Sequence, residues 1–153
     1  MMTYHKETKE KVKIHGEVFT PPGVVFQMIL QPRLREDLKN PEKTFFDPCV
    51  GEGQFSTVEL VLKMFYNVDK LNSENILTIL NSIRGMDIQE ESVLKCKEHM
   101  KKTLNDAYKF FTNENFTENK FAEFIINKNF KHGDSLKFLE NVKALQKKSE
   151  SLF

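Results

Sequence analysis

At 153 residues, with 39% hydrophobic and 29% charged side chains, the chain has the size and composition of one globular domain around one core. No apolar run approaches the roughly 18 residues that cross a bilayer, and the polar start Met-Met-Thr-Tyr-His-Lys-Glu does not read as a secretory signal, so no membrane association and a cytoplasmic location are expected. The net charge of +1 makes no global case for nucleic acid, and only Arg33, Arg35 and Arg84 are arginines, so any DNA contact is expected to touch phosphate more than to read bases.

Residues 1–15 are polar with scattered lysines and read as a flexible N-terminal arm; residues 16–153 read as the domain. Thr20 before Pro21-Pro22 predicts a helix start, and Val24, Val25, Met28 and Ile29 an apolar face. Gln31-Pro32 limits that helix, and a second short one runs from Arg33 to Leu38. Thr44-Phe45-Phe46 predicts a strand buried on both faces, ending at Asp47. A tight turn over Cys49 to Gln54 leads into a helix from Phe55 to Tyr66.

The unit recurs. A helix over Leu71 to Leu80 feeds a strand from Ser82 to Met86 that ends at Asp87, and Glu90 to Thr103 is the next helix. Residues 105–128 read as a partly helical insertion with Phe121, Phe124 and Ile125 as its core face. A third strand begins at Ile126 or Asn129, runs to His132, and precedes a helix from Ser135 to Lys147. Alternating strands and helices predict an α/β fold with a parallel sheet and right-handed crossovers. Ligands bind such sheets beyond the carboxyl ends of the strands, where Asp47, Asp87 and Asp134 converge.

The run Asp47-Pro48-Cys49-Val50-Gly51-Glu52-Gly53-Gln54-Phe55 has two glycines where a dinucleotide fingerprint needs three. Its aspartate suits a ligand bearing an ammonium group and hydroxyls better than one bearing phosphates. This run resembles the Asp-Pro-x-x-Gly-x-Gly-x-Phe motif of adenine-specific DNA amino-methyltransferases. Gly16-Glu17-Val18-Phe19-Thr20-Pro21 is similar to the Gly-x-x-Phe-Thr-Pro motif that precedes it in the gamma-type order, as in Eco57I-like enzymes and type I modification subunits. Gly85-Met86-Asp87-Ile88 and Gly133-Asp134-Ser135-Leu136 are similar to the next two motifs, so the likeness covers about residues 16–136.

The resemblance implies a partial Rossmann-like fold that binds S-adenosylmethionine. Phe19, Thr20 and Pro21 would border the methionine end of that cofactor. Asp47, Pro48 and Gly51 would hold the amino-acid moiety, with Gly53 allowing close approach and Phe55 closing the turn. Asp87 would accept from the ribose hydroxyls, Ile88 would pack on the adenine, and Asp134, next to Ser135, would accept from the adenine amine. Helix capping is the competing role of Asp87 and Asp134.

The family's catalytic motif, Asn or Asp followed by two prolines and an aromatic residue, does not occur in this sequence; Pro21-Pro22 is its one Pro-Pro pair. No catalytic residue is therefore assigned. The family order also places the first strand centrally, so without a fourth strand its edge is exposed, to be covered by a second copy, a partner chain or the C-terminal segment. Two functions stay open: a cofactor-binding domain or subunit, whose catalytic half and DNA contact would come from another chain if it is split, or a regulatory protein that keeps only the pocket. Degradation of the cofactor is a third reading with no catalyst to name.

Cys49 and Cys96 read as free thiols, and the four histidines show no metal-ligand spacing. Lys95, Lys97, Lys101 and Lys102 read as a solvated face, with a phosphate-binding patch as the sharper alternative.

Overall fold

The computed structural model describes residues 21–152; the expected arm, and Phe19 and Thr20, lie outside them. Helix α1 (Pro22–Ile29) begins with Pro21 at its N-cap, one residue after the expected Thr20, and carries a proline in its first turn, where no amide donor is missed. Gln31 caps α2 (Pro32–Lys39). The pieces that follow are β1 (Phe45–Asp47), α3 (Gln54–Tyr66), a short 3-10 turn (Val68–Lys70), α4 (Ser73–Asn81) and β2 (Ile83–Asp87). They are completed by α5 (Glu90–Thr112), α6 (Asn119–Asn129), β3 (Phe130–His132) and α7 (Ser135–Ser151).

The three strands form a parallel sheet in the order β1-β2-β3. The fold is therefore α/β with flanking helices, and β1, expected at an exposed edge, is at an edge of the described sheet. Register pairs Phe46 with Arg84, and Met86 with Lys131. Side chains alternate along a strand, so these four share one face, while Ile83 and Phe130, both fully buried, lie on the other.

Helices α3 to α6 build the core on that second side. Leu60 and Met64 of α3, Ile79 of α4, Met100 of α5 and Ile126 of α6 are fully buried. Each such side chain contributes about 1.5–3 kcal/mol through area removed from water. A smaller cluster seats Val25, Ile29 and Leu38 against Phe45, Phe55, Val58 and Leu62.

Several expectations need correction. Phe46 is 38% exposed, so β1 is not buried on both faces; on its outer face Phe46 meets Phe138 of α7, with ring centroids 5.6 Å apart. Val24 and Met28 are exposed on α1, whereas Val25 and Ile29 are buried. Helix α5 runs on to Thr112 and ends at Asn113, which adopts a left-handed φ of 59°. On α6 the buried residues are Ala122, Ile126 and Asn129, with Ile125 packed against the core as expected; Phe121 and Phe124 are exposed. Asn129 wins that inward position because its side-chain amide donates to the carbonyls of Asn81 and Ile83. Among the described residues, no helix is long and apolar enough to cross a membrane.

Candidate functional site

The carboxyl ends of the strands are knitted together beyond the sheet itself. The Val50 amide donates to the Met86 carbonyl at 2.9 Å, extending the β1–β2 ladder into the turn after β1. The next amide, Gly51, donates to Asp87 Oδ2 at 2.9 Å. On the far side of β2, the Gly133 amide donates to the Asp87 carbonyl, and His132 Nε2 lies 2.9 Å from the Ile88 carbonyl oxygen. Asp87 is thus the hub of the rim, bonded through side chain and backbone to the turns after β1 and β3.

The turn between β1 and α3 depends on two left-handed residues, Gly51 at φ 54° and Gly53 at φ 93°. A Cβ on Gly53 would stand 2.9 Å from Cys96 Sγ, so the close approach present is that of α5. Gly85 does similar work in β2, where a Cβ would meet Val50 Cγ2 at 2.6 Å. These contacts key the turn into β2 and set where Asp47 and Asp87 stand.

The three rim aspartates differ in engagement. Asp47 Oδ1 accepts from the Cys49 amide, and burial, with the nearby Asp87 charge, raises its carboxyl above the ordinary range although that amide opposes the shift. Asp87 accepts from Gly51 on one oxygen and from Gln89 on the other, both at 2.9 Å. A carboxylate offers about four acceptor sites, so each oxygen keeps one for a ligand hydroxyl. Asp134 caps α7 by accepting from Leu136 and Lys137, which is the competing role expected for it.

The remaining expected residues are placed as follows. Ile88 is 68% exposed beside Asp87. Phe55 packs in the cluster with Val25 and Ile29. Pro21 and Pro48 are exposed, and Ser135, partly buried, is the first residue of α7. Cys49 is exposed, whereas Cys96 is buried and its thiol is pushed up to about 12, chiefly by burial. The lysine face of α5 is largely neutralised: Lys95 pairs with Glu52 and Glu91, Lys101 with Glu123, and Lys102 with Asp106.

Charged residues of α3 form a feature that the sequence pattern did not mark. Lys63 is fully buried and donates to the carbonyls of Asn40 and Lys43 and to Ser82 Oγ, with its ammonium 5.0 Å from the centre of the Phe45 ring. All three of its protons therefore have acceptors, although burial still lowers it to about 8. Glu59, one turn earlier, is 8% exposed, and burial, helped by the Asp47 charge, raises its carboxyl to about 8. Ser56 Oγ, a further turn back, is buried without a hydrogen-bond partner. Comparison with protein-family models, curated proteins and solved structures gives no match to this chain.

Proposed function

We propose that this chain is the S-adenosylmethionine-binding part of an adenine-specific DNA methyltransferase with a partial Rossmann-like fold, and that methyl transfer draws on a catalytic motif outside these residues. The observation that carries the reading is the Asp87 hub: a strand-end carboxylate tied to the glycine turn after the neighbouring parallel strand, with acceptor capacity to spare. When bound, the cofactor supplies an electrophilic methyl group on a sulfonium. The chain's own residues bind and orient. Asp87 accepts from the ribose hydroxyls, exposed Ile88 covers the adenine, and Asp47 takes the charged amino-acid end. Asp134, already spending one oxygen on the α7 cap, contributes its other oxygen to the adenine amine.

The β1 edge supports assembly with a chain carrying the Asn-Pro-Pro-aromatic motif, since β1 has one strand neighbour in the described sheet. That chain would also bring the DNA.

Calorimetric titration of the full chain with S-adenosylmethionine tests the pocket. Binding is expected, weakened about tenfold or more by Asp87→Ala and less by Asp87→Asn, which keeps one acceptor. Asp47→Ala should also weaken it. No heat with the wild type would sink the reading. Binding without capture of any motif-bearing chain, and without methyl transfer when cell extract is added, would favour a regulatory protein that only holds the cofactor.

A further inference from the structure

We infer that Ser56 and Glu59 of α3 complete, with Asp47, a subsite for the ammonium group of an amino-acid-bearing nucleoside. The inference rests on the cofactor reading above and adds two residues that no motif of the sequence marks.

Ser56 and Glu59 are three residues apart on one helix and therefore share a face. Both belong to the buried surface of α3, with exposures of 0% and 8%. Buried polar groups are almost always hydrogen-bonded, and an exception asks for a cause. Among the described residues Ser56 Oγ departs from the rule, as does Ser92 Oγ of α5. Ser56 Oγ has no partner, and Glu59, on the same face, is a carboxyl-bearing side chain only 8% exposed. A ligand that donates protons and carries positive charge would suit the unpartnered hydroxyl and the acid-flanked carboxyl together. Lys63 does not fill that role, because its ammonium is spent on Asn40, Lys43 and Ser82.

Position points the same way. Ser56 and Glu59 occupy the first two turns of α3, directly after the glycine turn, and the Asp47 charge at the end of β1 acts on Glu59. The other charge acting on Glu59 is Lys63, on its own helix. Helix α1, packed on α3, has no ionisable side chain. From α2, Asp37 acts on Lys63; from β2 and α5, Asp87 acts on Asp47 and on the Cys96 thiol. Acidic neighbours therefore dominate the carboxyl's surroundings toward the rim. With its value near 8, Glu59 holds a proton at neutral pH, and an arriving ammonium would displace that proton to solvent.

The test uses the full chain and two probes: S-adenosylmethionine, and 5′-methylthioadenosine, which keeps the nucleoside and sulfur but lacks the amino-acid group. Glu59→Gln is expected to weaken S-adenosylmethionine about tenfold while leaving 5′-methylthioadenosine within about twofold, and Ser56→Ala to act in the same direction by less. Titration at about pH 7 in two buffers of different ionisation enthalpy should show a proton released by the wild type and none by Glu59→Gln. Equal weakening of both probes, or an unchanged S-adenosylmethionine affinity in Glu59→Gln, would overturn the subsite while leaving the cofactor reading standing. Failure of the wild type to bind either probe would overturn both.

Discussion

The two faces of the sheet are built differently. On one, α3 to α6 bury Leu60, Met64, Ile79 and Ile126 completely against Ile83 and Phe130. On the other, Phe46, Arg84 and Lys131 are exposed, and α7 has no buried residue along its 17. Leu136 and Leu145 of α7 are 71% and 66% exposed. Stability therefore resides on the first face, while the second offers apolar surface that contributes little to holding this chain together. The acidic rim stands at the boundary, its geometry set by the packed side through Gly53 on Cys96 and Gly85 under Val50.

The largest effect should come from breaking the packed face. Leu60→Ala removes a fully buried side chain from the centre of the core, at a cost of about 2–5 kcal/mol in chemical denaturation. A loss under about 1 kcal/mol would mean that the two faces are less unequal than they look. Smaller, and dependent on pH, is the effect of Glu59. Its folded-state value near 8 lies above the ordinary 4.5, so the stability it contributes is full below 4.5 and drains as pH rises toward 8. Lys63, lowered to about 8, is protonated folded and unfolded over most of that window and adds little slope there. Glu59→Gln cannot ionise, so its melting temperature relative to wild type should climb between about pH 5 and about pH 7.5. A constant difference across that range would show the carboxyl to be better solvated than its burial implies. The smallest effect belongs to the open face: Phe138→Ala gives up one ring contact of a partly exposed side chain and should cost less than about 1 kcal/mol globally. Faster amide exchange confined to α7 would sharpen the contrast; global destabilisation comparable with Leu60→Ala would erase it.

Much of the local architecture could be read from the residues. A short apolar run marked β1, an aspartate at or just after the strand end marked all three strands, and the glycine pair marked the turn, because these signals are local. The length of α5 was hidden since the stretch after Thr103 mixes Asn, Lys and Phe without a stop signal before Asn113. The inward face of α6 was misread because Phe121 and Phe124 are larger than Ala122, and because Asn129 enters the core only by virtue of carbonyls some 46 to 48 residues away. The rim aspartates were visible as strand ends, and capping as an alternative role for Asp134, but Asp87's bond to Gly51 is a property of the folded chain. Glu59 and Lys63 were invisible for a related reason: charged side chains are exposed by default, and only tertiary partners such as Asn40, Lys43 and Ser82 make burial of one tolerable.

The bond from the Val50 amide to the Met86 carbonyl has a mechanical consequence. It continues the strand ladder past the last residue of β1, so the first part of the glycine turn behaves as sheet rather than as loop. Together with Gly51 on Asp87, it makes the floor of the rim one stiff plate, unable to tilt at one corner without shearing the central strand. A small molecule settling on that plate would find its acceptors already in place, and most of the ordering cost of capture would fall on the ligand.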